Sequence, residues 1–370
     1  MAATTPADAK LVAQQFPMTP CASRARHILG YWRHPVAQAI LKAFLTVFVT
    51  TSITFFLIRL MPGNPIDIKI DELTKDGLMT YQEARAQAAS LFSIDLEKPI
   101  LEQYISFVGN LAHGNLGYSF VSQGTPVTAI VLAVLPWTLF AVGTGLLLSF
   151  SVGVFLGLFA AYNRNKAIDH ILSIGGSVIS AVPSYFIALL IVIVLGVELR
   201  IIPYTQMRGA QSAGIPVGFT PQFIGDVLYH AILPVSVFFL ATLGHWILGM
   251  KSATVNALEE DYVNAARARG LSDGRIMTAY VGRNAVLPLI TQFAITAGYA
   301  IGGSILIEQY FVYQGVGLRL QAALLQRDYP VMQGILLMVT LAVVIANLLA
   351  DLLYSRLDPR IGRAGGATGT

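Results

Sequence analysis

A chain of 370 residues with 55% hydrophobic and 12% charged side chains carries about half the charge of a soluble domain, which averages roughly 25%. Its mean hydropathy of +0.65 and its small net charge of +4 exclude a water-soluble enzyme and a nucleic-acid-binding protein, and leave an all-α integral membrane protein embedded in a lipid bilayer. The single cysteine, Cys21, rules out an intrachain disulfide and any cysteine-based metal cluster.

Residues 1–35 are mixed polar and basic, with Arg24, Arg26 and Arg33, and read as a cytoplasmic N-terminal extension. No cleavable signal is expected, because Arg59 and Pro62 follow the first apolar run where small residues would be needed. A bilayer core of ~30 Å takes ~20 apolar helical residues, so charge-poor intervals mark the spans. A first transmembrane helix is expected over 36–61, with Lys42 and Arg59 snorkelling to the two interfaces. An extracytoplasmic segment, 62–130, comes next; it is rich in acids such as Asp67, Asp71, Glu72 and Asp76. Within it Tyr81, Ala84, Ala88 and Leu91 recur at helical spacing and predict a short helix over 80–92.

The core, 131–358, holds five further spans. One lies in the long interval before Arg164, continuously apolar from Trp137 to Ala161. The others lie between Asp169 and Glu198, Asp226 and Lys251, Arg283 and Glu308, and Asp328 and Asp351. Residues 359–370 form a short tail. Six spans put both termini on one side, and a cytoplasmic N-terminus places fifteen Lys and Arg inside against nine outside, as the positive-inside rule requires. Gly153-x-x-x-Gly157 and Gly298-x-x-x-Gly302 allow close helix approach, either as static seams or as surfaces that slide. His245, beside Trp246 in a long apolar run, is a candidate for a pathway or gate, or else a hydrogen-bonded packing residue. Asp351 near the end of the last span reads as one half of a structural pair with a cytosolic arginine.

Between the fourth and fifth spans the segment 251–287 is charge-rich and small-residue-rich. Tyr262, Ala265, Ala266 and Arg269 stand at i, i+3, i+4 and i+7, one face of a short helix with almost no side chain at its centre. Glu259, Glu260 and Asp261 favour its N-terminus and Arg267 and Arg269 its C-terminus. Gly270 supplies a left-handed stop, Leu271 follows it, and Ser272 opens a second helix. Most connections need only ~4 to 6 residues, so two helical patterns across this loop point to a docking handle for another protein. No G-x-x-x-x-G-K-[ST] phosphate loop occurs, so ATP chemistry would have to come from a separate chain. Neither H-E-x-x-H nor G-x-S-x-G is present, which argues against an intramembrane enzyme. A secondary transporter or channel stays open as the alternative, although no internal repeat and no midplane charge supports it.

The loop resembles the EAA loop of ABC-importer permeases, in the form Asn264-Ala265-Ala266, Gly270 and Leu287-Pro288. Asn264 in place of Glu, the long spacing to Pro288 and the run Asp261-Tyr262-Val263 to Leu271-Ser272 are similar to the dipeptide, oligopeptide and nickel subgroup. Arg59-Leu60-Met61-Pro62-Gly63-Asn64-Pro65, Leu116-Gly117-Tyr118-Ser119, Pro183-Ser184 as a short turn within the third span, Arg327 to Gly334 and Leu357-Asp358-Pro359-Arg360 resemble further elements of its "B" permease, in the same order. The resemblance implies a type I importer permease fold of six transmembrane helices in a prokaryotic inner membrane. It implies coupling to ATPases through Asp261, Tyr262, Ala265, Ala266, Arg267, Arg269, Gly270 and Leu271. By the same resemblance the partners are a second permease chain, two ATP-binding subunits that hold ATP and Mg, and an extracytoplasmic substrate-binding protein. The expected cargo is a di- or oligopeptide, moved by alternating access, with no cofactor and no catalysis in this chain.

Overall fold

Inside a bilayer every backbone N–H and C=O must be paired within the segment that carries it, which is why long apolar stretches become helices. The computed structural model describes residues 35–61, 70–71, 74–75, 79–91, 98–122, 124–303 and 305–357, and helices and turns make up nearly all of them. The chain forms two units, residues 1–48 and 49–370. In the first, the described residues are the opening turns of α1 (Pro35–Arg59), where the Thr46 hydroxyl donates to the Lys42 carbonyl at 2.8 Å. The expected cytoplasmic extension up to residue 34, the motif residues Pro62-Gly63-Asn64-Pro65 and Asp358-Pro359-Arg360, the tail and the side chain of Asp351 lie outside the described residues.

In the second unit α2 (Tyr81–Leu91) opens on a capping box: Thr80 N–H and its hydroxyl donate to Glu83 at 3.0 and 2.8 Å. Those two bonds, the backbone one first, hold the Glu83 carboxyl below the usual carboxylate range. Helix α3 (Ile100–Ala112) packs Tyr104 and Phe107 on Phe55, and the Tyr104 and Ser52 hydroxyls share a 2.7 Å hydrogen bond.

Two long helices form the centre, α4 (Val127–Tyr162) and α7 (Pro221–Leu258). At 1.5 Å per residue each is well over the ~30 Å core and projects beyond it. α4 starts at Val127, ahead of both the Trp137 and the residue 131 expected from sequence. The reason is local: Pro126, with φ −65°, is already suited to a helix start, and apolar residues follow it directly. Between the two long helices stand α5 (Ala167–Ala181), α6 (Ser184–Leu190) and the π-helical π1 (Ile191–Glu198). The sequence reading counts Asp169 to Glu198 as one span with a short turn at Pro183-Ser184, and the chain bends there by 101°. Pro183 lacks an N–H and pushes Val182 into an extended conformation, φ −85° and ψ 122°.

Past α7 come α8 (Asp261–Ala268), α9 (Asp273–Arg275), π2 (Ile276–Gly282) and α10 (Arg283–Gly303), then α11 (Ile305–Phe311), α12 (Val316–Leu325) and α13 (Tyr329–Leu357). Among the described residues four helices, α1, α4, α7 and α13, are long and apolar enough to cross a membrane, and the number rises to the expected six when each of two bent pairs is taken as one span.

α4 and α7 meet along residues four apart on both sides. Gly145, Ser149, Gly153 and Gly157 face Phe238, Thr242, Trp246 and Met250, with Thr242 donating to the Ser149 hydroxyl at 2.8 Å. A Cβ at Gly157 would stand 2.5 Å from the Ile247 carbonyl oxygen, and one at Gly153 would overlap the Cβ of Trp246. The Gly153/Gly157 pattern is therefore a seam inside this chain. Gly298 likewise sits against α13, where an added Cβ would be 3.3 Å from Val343 Cα.

The end of the bundle near Val127 holds two buried acids. Glu308, only 1% exposed, accepts from the Thr138 hydroxyl at 2.6 Å and from the N–H groups of Gly317 and Leu318 at 2.7 and 3.1 Å. It thus fills the anion-seeking N-terminus of α12. The sequence reading took Glu308 as the polar limit of a span; the side chain is instead enclosed by protein. Asp328, also 1% exposed, accepts from the Ser119 hydroxyl at 2.5 Å and from Phe120 N–H at 3.1 Å, and Tyr329 beside it lies 5.1 Å under the Arg59 guanidinium. Motif residues far apart in sequence (Arg59, Ser119 and Asp328) are here one cluster.

Candidate functional site

Helix α8 is eight residues long and begins after Glu260, whose extended backbone at φ −76° and ψ 145° turns the chain into it. Asp261 in its first turn and Arg267 in its last complement the helix dipole. Its end is a Schellman arrangement: Leu271 N–H reaches the Ala266 carbonyl at 3.3 Å and Gly270 N–H the Arg267 carbonyl at 2.9 Å. Gly270 sits at φ +75°, the left-handed stop predicted for it.

What α8 buries is Val263 and Ala266, against Ala161 at the end of α4 and Ile276, Met277 and Val281 of π2. Tyr262 and Leu271 flank that patch, partly buried. Asp261, Asn264, Ala265, Arg267, Ala268, Arg269 and Gly270 are exposed. The structure thus separates the two alanines that the sequence puts on one contact face. Successive helix residues are about 100° apart, and the apolar pair Val263 and Ala266 at i, i+3 decides which side turns inward. Ala266 is a seat, and the outward face is Asp261, Asn264, Ala265 and Ala268. Val263, the one β-branched aliphatic in the helix, is the signal that identifies the inner side.

The seat is continuous with the spans. Gly282 packs its backbone on α4, where an added Cβ would be 3.3 Å from Leu158 Cδ2, and π2 runs straight into α10. On the other side Lys251 is ion-paired with Asp169 and donates to the Ser173 hydroxyl at 2.8 Å, joining α5 to α7 about two turns before α7 ends. Sequence reasoning missed this clip, since it used Asp169 and Lys251 only as ends of separate spans. Ser272 does precede α9 with extended backbone, though its side chain makes no capping bond.

The two pathway candidates diverge. Trp246 is fully buried, its ring edge-on to Phe150 at 5.2 Å, and is a packing residue of the α4–α7 seam. His245, next to it, points out of the bundle and is exposed. Among the described residues no group of His, Cys, Asp and Glu has the arrangement of a metal site.

Residues 153–363, which include the Gly153/Gly157 part of the seam, the coupling segment and the last span, match the model of the family described as binding-protein-dependent transport system inner membrane component. The chain belongs to that family. It is 34% identical over 314 residues to a putative peptide permease protein of Brucella suis, covering 84% of this chain and 93% of the relative. It is 32% identical to a di/tripeptide transport system permease protein of Pseudomonas aeruginosa (85% and 95% covered) and 30% identical to an oligopeptide transport system permease protein of Bacillus subtilis (84% and 93%). The permease is a multi-pass, all-helical ABC-importer subunit, and the resemblance seen in its loop extends over most of its length.

Proposed function

We propose that this permease forms, with a second permease chain, the path by which di- or oligopeptides enter the cell, and that α8 is where ATPase closure is felt. The observation that carries the reading is the two-sided character of α8. Its outward face of Asp261, Asn264, Ala265 and Ala268 is small enough for close approach, while its inward face rests on the ends of α4 and π2. A push on the outer side has no soft element to dissipate in, because packed interiors transmit displacement. Both termini and α8 are cytosolic in this reading, with α2 and α3 on the far side, near the external binding protein that delivers the peptide. Two ATP-binding subunits hold ATP and Mg, each facing one permease, and this chain has no catalytic step. Arg267, Arg269 and Gly270 border the docking surface, and Tyr262 and Leu271 brace it. Of the pathway candidates, exposed His245 keeps that role here and Trp246 does not.

The test is reconstitution with the ATPase chains and binding protein in proteoliposomes. Peptide uptake should require ATP. Ala265→Glu, a charge on the exposed face that disturbs no packing, should lower uptake at least roughly tenfold, equivalent to about 1.4 kcal/mol of coupling, at unchanged permease abundance. Uptake that proceeds without the ATPases would reject the reading and favour a secondary carrier.

A further inference from the structure

The continuous helix from Asp273 to Gly303 is coated differently from the other spans. On α4 the exposed side chains include Leu139, Leu147, Leu148, Val152, Phe155 and Phe159, which suit hydrocarbon. Among the residues of α10 whose burial is described, the exposed positions are Arg283, Asn284, Pro288, Gln292, Tyr299 and Gly302, and Tyr299 is the one large exposed apolar residue. At 100° per residue Asn284, Pro288, Gln292 and Tyr299 fall within about 80° of one another, so they form one stripe along the span. An amide turned to lipid without a partner costs several kcal/mol, and intramembrane polar groups face a bundle interior or water. At its π2 end the stripe opens into a cavity lined by Arg275, Ala279, Tyr280, Arg283, Asn284 and Leu287. Asn284 is oriented there by its donation to the Tyr280 carbonyl at 3.0 Å.

We infer that this stripe, with the cavity at its π2 end, is the permease's wall of the water-filled path, where Asn284 and Gln292 meet the amide groups of a passing peptide and Arg283, in the cavity, its carboxylate. The inference rests on the function proposed above. Two arginines in one cavity call for water or an anion more than for a packed protein surface, and a peptide brings a carboxylate. Side-chain amides bond main-chain N–H and C=O whatever the peptide sequence, which suits a path that does not choose its cargo.

The experiment uses the assembled complex with Cys21→Ser as background and single Asn284→Cys, Gln292→Cys and Leu147→Cys variants. A charged, water-soluble methanethiosulfonate should label Asn284→Cys and Gln292→Cys at least tenfold faster than the Leu147→Cys control. An enzymatic casein hydrolysate, supplied with ATP and binding protein, should slow labelling at Gln292→Cys. Labelling as slow as the control overturns the inference and means the stripe is packed against the second permease. Fast labelling that the hydrolysate does not slow overturns peptide contact. Failure of the function proposed above is separately visible, as loss of ATPase co-purification and of ATP-dependent uptake in the Cys21→Ser background.

Discussion

The two ends of the bundle are held by different physics. At the Val127 end, buried carboxylates are pinned by backbone N–H groups: Glu308 closes α12 onto α4, and Asp328 closes the α12–α13 turn onto residues 119–120. Such bonds are directional and leave costly orphans when broken. At the α8 end the contacts are a small apolar patch around Val263 and Ala266 and one clip with a partly exposed lysine. Such a seat can be carried along with the helix ends it packs on, since dispersion contacts leave no directional bond to break. The arrangement suits a transporter in which one end is set and the other is moved.

Breaking the set end should have the largest effect. Glu308→Ala leaves the Gly317 and Leu318 N–H groups and the Thr138 hydroxyl without their acceptor, and at ~1 to 3 kcal/mol per orphan the loss should be about 3 kcal/mol or more. A clear drop in the thermal unfolding midpoint of the purified permease is expected, with Glu308→Gln intermediate because one acceptor oxygen survives. An unchanged midpoint would remove Glu308 as the lock. Asp328→Ala should follow at about 2 kcal/mol, seen as faster amide hydrogen exchange at residues 119–122 with little change in α8. Equal acceleration at both ends would mean they are not separate elements.

How much of this was readable depends on the range of the interaction. The spans were legible in the charge-poor runs because a bilayer enforces helix wherever ~20 apolar residues occur. The α8 helix, its acidic start and its Gly270 stop were legible because caps and stops are encoded within a few residues. Which alanine of the pair faced inward was marked only by Val263, three residues before Ala266, and a reading built on Tyr262 and the two alanines passed over it. Glu308 and Thr138 are 170 positions apart, and Ser119 and Asp328 are 209, so nothing local marks them as partners. Glu308 misled in a specific way: a charge at the edge of an apolar run looks like an interface residue until its acceptors are seen to be filled. A turn at Pro183-Ser184 was legible through the resemblance and through proline chemistry, but its size, 101°, was not, because the apolar interval runs on without a break.

The smallest effect expected sharpens the contrast from the movable end. Gly270 stands at φ +75° with open space around its would-be Cβ, so Gly270→Ala introduces a backbone penalty and no clash. That penalty is about 1 kcal/mol for a non-glycine residue in the left-handed region, and Gly270→Asn should recover part of it. Because the Leu271 and Gly270 N–H bonds to α8 depend on that turn, the cost should be confined to the coupling segment. Faster hydrogen exchange over 261–271, an unshifted unfolding midpoint and a reduction in ATP-driven uptake of no more than a few-fold are the expected set. A shift of the global midpoint as large as that of Asp328→Ala would show that α8 is locked into the bundle rather than seated on it, and the difference between the two ends would disappear.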